Sequence, residues 1–266
     1  MVTTIGLGCS RFGSLVGGTD AQSARGLVEA ALDMGVRHFD TADIYGQGDS
    51  ERFLGRLLAS TPDAVITTKA GQRFPLAKRL VLTAKPILKP LMDRRAGLTR
   101  AAAASRAGLL PQDWSRGHLE KAIVGSLRRL RRETVDNFLL HSPSADVLGK
   151  GDAMDHLVNF KDRGMARRVG VSIDDAAAFE AALADSRVEV VQLPLQVLLL
   201  DPRLKQKAMA GEVELIVREL FAGRTDHDID AAMGSVPNGV SVALVGTGNP
   251  DHLRQAHDAM AKARSC

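Results

Sequence analysis

Short apolar runs alternate with amphipathic stretches along this chain, and the alternation repeats eight times. Runs rich in Val, Ile and Leu predict strands at 5–8, 36–39, 64–68, 135–140, 167–171, 188–193, 214–217 and 240–245. Apolar positions at helical spacing predict helices at 21–34, 50–58, 118–130, 152–163, 174–184 and 251–263 between most of them. Capping residues are in place for several: Asp49 or Ser50, Ser115, Asp174, and Asn249 followed by Pro250. Strands apolar on both faces, each followed by a helix, pair in parallel through right-handed crossovers. Eight such units predict a closed (β/α)8 TIM barrel, expected as a single domain over residues 1–266. An open dinucleotide-binding sheet is the weaker alternative, since no helix opens directly on Gly6-Leu7-Gly8.

Residues 71–115 break the rhythm, where a strand-to-helix connection normally takes about two to six residues. Pro75, Pro86, Pro90 and Pro111 exclude one long helix there. Between Arg73 and Arg106 nine basic residues face the single acid Asp93, so this insertion carries +8 of a net +4 and the remainder is acidic. The high isoelectric point is therefore local. Only Phe74 in the segment could stack on a base, which argues against nucleic-acid binding. A long loop after a barrel strand lies on the catalytic face, so a basic lid is the functional expectation.

The chain carries no run of 18 or more apolar residues and no charged leader followed by an apolar stretch, so a soluble cytoplasmic protein without a membrane partner is expected. Cys9 and Cys266 stand at opposite ends in no metal-like spacing and are expected as free thiols.

Barrel enzymes carry their chemistry at the C-terminal ends of the strands. Here those positions read Gly8–Cys9, Asp40, Lys69, His141, Ser172, Gln192, Arg218–Glu219 and Gly246–Thr247, polar or ionisable at nearly every one. Taken singly each has a structural explanation: Asp40 could cap a turn, Lys69 could extend its amine past a strand end, and His141 could be a satisfied core histidine. Strands two, three and four are neighbours in a closed barrel, however, and would converge on Tyr45, the only tyrosine in the chain. Such a set suits hydride addition to a carbonyl or its reverse, which needs a proton donor beside the oxygen. Tyr45 can be that acid. A Lys69 ammonium would lower its phenol from about 10, Asp40 would hold the lysine cationic, and a neutral His141 could orient the substrate oxygen.

These residues resemble the aldo-keto reductases across nearly the whole chain. GLGCSRFG, HFDTADIYG with SERFLG, VITTKAG, LLHSP, GMARRVGVS, VVQLPLQVL, IVRELFAG and VALVGTGNPDHLRQ match the family's motifs in order. The resemblance implies a (β/α)8 barrel and an oxidoreductase acting on a small aldehyde, ketone or sugar-like alcohol. It implies a tetrad of Asp40, Tyr45, Lys69 and His141, with Asp43 left aside because the motif uses the spacing from Asp40 to Tyr45. The cofactor implied is NADP(H), slightly favoured, with NAD(H) as the alternative. Its site would draw on Gly8, Cys9, Ser172, Gln192, Arg218, Gly246, Thr247, Gly248, Asn249 and His252. A monomer or small homo-oligomer is expected.

Departures from the family pattern are specific. Ile173 stands in place of asparagine, Gly246 and His252 in place of lysine and arginine, and Ser10 and Ser142 in place of pocket aromatics. The chain starts almost at its first strand, so the resemblance is to a compact member, and the insertion points to the galactose- and pyridoxal-dehydrogenase branch. A cofactor-binding redox sensor with little turnover is the alternative from a different functional class.

Overall fold

The computed structural model describes residues 3–13, 19–73, 110–222 and 228–265. Eight parallel strands close into a barrel in sequence order. They are β1 (Thr4–Gly8), β2 (His38–Asp40), β3 (Val65–Ala70), β4 (Val135–His141), β5 (Ala166–Ser172), β6 (Val190–Pro194), β7 (Glu214–Arg218) and β8 (Val242–Val245). The ring is completed where Thr4 to Leu7 pair with Val242 to Val245.

Around the barrel run α1 (Ala21–Asp33), α2 (Asp49–Leu57), α3 (Arg116–Leu130), α4 (Ala145–Lys150), α5 (Asp152–Asp162), α6 (Ala176–Ala184), α7 (Leu195–Leu200), α8 (Pro202–Ala210), α9 (Ile229–Gly234) and α10 (Pro250–Ser265). Two expected caps are replaced. Asp175, not Asp174, accepts the backbone amide of Ala178 at the start of α6, because Asp174 is bonded to Arg218 instead. Before α2 the cap is Gly48 in a left-handed conformation with no side-chain bond. Ser50 is turned inward, bonding Thr41 at 2.8 Å and the Cys9 carbonyl at 2.9 Å. Ser115 caps α3 through the His118 amide, and the Asn249 side chain accepts the Asp251 amide at the start of α10.

Packing divides into two parts. A main core of outward-facing strand residues and helix residues, among them Leu7, Phe39, Phe138 and Phe179, fills the space between sheet and helices. A separate cluster of Leu139, Val190, Ile216, Val242 and Leu244 fills the barrel interior. Side chains alternate across each strand, so inward positions recur every second residue. Two residues toward the N-terminal ends, the interior turns polar: Arg168 bonds Asn137 and Glu214, and Asn137 bonds Thr67, which bonds His38. Two residues toward the C-terminal ends stand Asp40, Lys69, His141, Ser172, Gln192 and Arg218. The apolar layer thus separates a polar floor from the site layer.

The middle layer closes only because two of its positions lack a side chain. A Cβ on Gly6 would meet Leu244 and Val242 at 2.8 Å, and one on Gly170 would meet the Val190 carbonyl at 1.9 Å.

The ends of the insertion are clasped. Gln72 and Gln112 form an antiparallel bridge, the Arg73 amide donates to the Pro111 carbonyl at 2.7 Å, and the Asp113 amide donates to the Gly71 carbonyl at 2.8 Å. Trp114 covers Gly71, whose φ of 117° and missing Cβ make room for the ring. Of the basic insertion expected at 71–115, residues 74–109 lie outside the described residues, and with them the expected lid. Among the described residues no helix is long and apolar enough to cross a membrane.

Gly170→Ala is expected to destabilise the fold by about 3 kcal/mol, because the clash is with a carbonyl fixed in the sheet rather than with a movable side chain. Urea unfolding of the variant measures it; a loss below about 1 kcal/mol would show that β5 and β6 can separate.

Candidate active site

The site grows out of the C-terminal ends of β2, β3 and β4 and the turn that follows β2. Asp40 ends β2, pairing with Gly8 on one side and Thr67 on the other. Lys69 reaches inward from β3, one residue before the strand ends, and is 1% exposed. Its ammonium donates to Asp40 Oδ2 at 2.8 Å and to the Thr41 carbonyl at 2.7 Å. The other Asp40 oxygen accepts from Gln192 Nε2 at 2.6 Å, and Gln192 Oε1 accepts from Ser172 Oγ at 2.9 Å. A chain of four side chains from strands three, two, six and five therefore fixes the ammonium in place.

Tyr45 follows β2 on a short 3-10 turn, Tyr45–Gly48. Its ring centre lies 5.2 Å from Lys69 Nζ and 5.7 Å from the His141 ring, which meets it edge-on. Gly46 has φ 55°, and a Cβ there would strike the Phe12 carbonyl at 2.7 Å, so only glycine lets the turn settle against the β1 loop. The four predicted tetrad residues are brought together.

Asp40, Tyr45 and His141 line a cavity of about 510 Å3 with Gly8, Ser10, Ser142, Ser172, Arg218 and Gly246. Of the residues expected to hold a cofactor, Gly8, Ser172, Arg218 and Gly246 face this cavity. Cys9 and Gln192 do not: both are fully buried, Cys9 in the main core and Gln192 behind Asp40. Thr247, Gly248 and Asn249 lead into α10, where the Thr247 hydroxyl accepts the Asn249 amide at 3.0 Å, and His252 is exposed in the first turn.

Arg218 is held at the rim by the Ile173 carbonyl at 2.9 Å and by the carboxylates of Asp174 and Glu219. Ile173, which stands where the family has asparagine, is buried and contributes only its backbone here. Glu219 and Ser142 both adopt left-handed backbone, with φ of 57° and 60°, at the ends of β7 and β4. Such conformations cost energy in residues other than glycine and gather at functional rims.

The electrostatics depart from the sequence expectation at Tyr45. Burial pushes its phenol above the ordinary value of 10, and the Lys69 charge offsets only part of that rise. The residue as a whole is half-buried. Tyr45 is thus protonated at neutral pH. Burial, then the Lys69 and Arg218 charges, hold His141 well below its usual 6.5, so its ring is neutral, and its Nδ1 is buried without a partner.

Behind the tyrosine turn lies a support that the strand-end pattern does not reveal. Glu51, fully buried on α2, accepts from the Thr68 hydroxyl at 2.6 Å and from Arg129 at 2.6 Å. Arg129 passes so close to Gly48 and Gly125 that a Cβ on either would strike it. The only sequence signal for this brace is the SERFLG motif that contains Glu51.

A model of the Aldo/keto reductase family matches residues 4–223. The chain belongs to that family. A D-threo-aldose 1-dehydrogenase from Pseudomonas sp. is 26% identical over 199 residues, covering 72% of this chain and 56% of that protein. A 6-dehydroglucose reductase from Novosphingobium aromaticivorans is 34% identical over 167 residues, 59% of this chain and 43% of that protein. The chain spans about half the length of these curated relatives. An aldo-keto reductase structure from Pseudomonas aeruginosa superimposes with a TM-score of 0.77 at 25% identity, over 99% of this chain and 92% of that one. The fold is also shared with an aldo-keto reductase from Klebsiella pneumoniae in complex with NADPH, with a TM-score of 0.67 at 17% identity, over 98% of this chain and 86% of that one.

Beside this site, Asp43 is also out of balance. Its amide donates to the Lys69 carbonyl at 3.0 Å, but its Oδ1 is buried without a partner. Burial, reinforced by Glu51, pushes its carboxyl up to about 7. The unfolded chain ionises Asp43 near 4, so between about pH 4 and 7 the folded state binds the extra proton and stability falls as pH rises. Asp43→Asn removes that penalty. Its melting temperature is expected to exceed the parent's at pH 8, by the equivalent of about 2 kcal/mol after allowing for partial solvent access, with the gain fading toward pH 4. A gain independent of pH, in melts across that range, would mean Asp43 is not the titrating group.

Proposed function

We propose that the chain is an NAD(P)(H)-dependent oxidoreductase that moves hydride between a nicotinamide and a carbonyl or alcohol, with Tyr45 as general acid and base. The observation that carries this reading is the meeting of Tyr45, neutral His141 and the Lys69–Asp40 pair at one cavity. The nicotinamide would supply or accept the hydride.

The cavity fits such a group. Gly8 and Gly246 leave its wall without side chains where β1 meets β8, and a Cβ on Gly246 would meet nothing within 4 Å. Ser172 and Arg218 would hold the nicotinamide end. The turn Gly246–Asn249, at the N-terminus of α10, suits a phosphate, with His252 exposed beside it. NADP(H) is favoured over NAD(H), in keeping with the NADPH bound by the Klebsiella pneumoniae protein of the same fold.

The chain's own residues account for the proton. Tyr45, protonated at neutral pH, gives its proton to the oxygen during reduction and takes one back during oxidation. The ammonium of Lys69 stabilises the phenolate left behind, and Asp40, Gln192 and Ser172 keep that ammonium aimed. The neutral His141 orients the substrate oxygen by a hydrogen bond. The rim of Ser10, Ser142, Asp174 and Glu219 favours a hydroxyl-rich substrate, and the names of the aldose dehydrogenase and dehydroglucose reductase relatives support a small sugar-like one.

Tyr45→Phe is expected to retain NADPH binding and to lose about 100- to 10,000-fold in kcat. Because the phenol is raised, oxidation by the parent enzyme should accelerate into the alkaline range while reduction is already supported at neutral pH. A Tyr45→Phe protein with full kcat in a nicotinamide absorbance assay on aldoses and aldehydes would remove Tyr45 from the mechanism. Tight NADPH binding by the parent without turnover on that panel would instead favour the redox-sensor reading.

A further inference from the structure

On the outer wall of the barrel, a cavity of about 330 Å3 is lined by five arginines and nothing else: Arg52, Arg56, Arg128, Arg129 and Arg131. Arg52 and Arg56 come from α2, Arg128 and Arg129 from the last turn of α3, and Arg131 from the residue that ends it. It shares no lining residue with the cavity that holds Tyr45. Two carboxylates offset this charge. Asp49 pairs with Arg52 at 3.1 Å, and the buried Glu51 pairs with Arg129 at 2.6 Å. Arg56 lies over the Phe53 ring at 5.1 Å. No ion pair to Arg56, Arg128 or Arg131 occurs among the described residues, so three guanidiniums face the cavity uncompensated.

Helix polarity accounts for only part of this arrangement. Basic residues at the ends of α2 and α3 complement the helix dipoles, which explains Arg56 and Arg128. Arg52 stands in the first turn of α2, where a cation opposes the dipole. Arg52 and Arg56 are also four residues apart on one helix face, and Arg128 and Arg131 three apart, spacings at which like charges destabilise a helix. The terminal position of α3, usually glycine, is Arg131 with φ 56°. The fold therefore accepts repulsion and strained backbone to gather these guanidiniums.

We propose that this cavity binds a compact anion carrying two or more phosphate groups. Guanidinium groups present paired N–H donors that match phosphate oxygens two at a time, and three uncompensated charges call for a multivalent anion rather than a single carboxylate. The same phosphate chemistry could be offered by a free polyphosphate or by a nucleic-acid backbone. The concave shape favours the free polyphosphate, as does Phe53, which is packed against the core with Arg56 standing over its ring and so is poorly placed to stack on a base.

Isothermal titration of the full chain with tripolyphosphate, at physiological salt and with and without saturating NADPH, tests the site. One saturable event that NADPH does not displace is expected. It should weaken by about tenfold or more in the double variant Arg56→Ala/Arg131→Ala, whose melting temperature should not fall below the parent's, because neither side chain is ion-paired and their removal relieves like-charge repulsion. Arg128→Gln alone should weaken it less. No binding by the parent, equal binding by the double variant, displacement by NADPH, or equal affinity for sulfate at matched ionic strength would each overturn the proposal. So would a single-stranded oligonucleotide that competes for the site with about tenfold higher affinity, since the occupant would then be a nucleic acid.

Discussion

The ammonium of Lys69 is buried within a hydrophobic framework, and the site depends on how that one charge is kept there. A buried cation is strongly destabilising unless it is paired and its hydrogen atoms are placed. Asp40 supplies the countercharge and the Thr41 carbonyl a second acceptor, both from the segment that carries the chain on to Tyr45. The carboxylate is then locked from its far side by Gln192, and Gln192 by Ser172. Four separate strands have to be in register for these bonds to form. The barrel's closure is thus a condition for the charge to exist in place, and the charge in turn ties together strands that share no loop.

The register follows from the interior packing. The apolar layer of Leu139, Val190, Ile216, Val242 and Leu244 lies one inward step below the site, with Gly6 and Gly170 as its small members. Slipping any strand by one residue would turn its site residue outward into the main core. The polar floor of Arg168, Asn137, Thr67 and His38 has its own bonding pattern and exerts the same constraint from below. Burial holds His38 near 4, so this floor is built around a neutral imidazole.

Much of this was legible in the sequence because the eight apolar runs are short, branched and evenly punctuated. Strand ends were less so. β3 continues through the polar Lys69 to Ala70, and β4 through His141, because ladder pairing does not depend on the side chain that happens to face the interior. The meeting of Asp40, Tyr45, Lys69 and His141 could be read from residue type and motif spacing, whereas their environment could not. The rise at Tyr45 reflects the depth of surrounding protein, which no local pattern encodes. Gln192 was expected beside a cofactor, and its amide donates to a carboxylate 152 residues earlier, a pairing no local pattern encodes. Asp174 was expected to cap a helix, yet it is drawn to Arg218 and the neighbouring Asp175 takes its place. At Asp174 a long-range partner displaced a local one.

The clasp at residues 71–73 and 111–113 makes the insertion a unit with a fixed socket. Its two ends are joined by backbone bonds and by Arg73 with Asp113, while Gln112 reaches on to the wall of the Tyr45 cavity, donating to the Ser142 carbonyl at 2.7 Å. Loops of other lengths could be exchanged between the clasped ends without altering the spacing of β3 and α3. A change in the clasp is therefore transmitted to Ser142, the neighbour of His141, through a bond in which no residue between the clasped ends takes part.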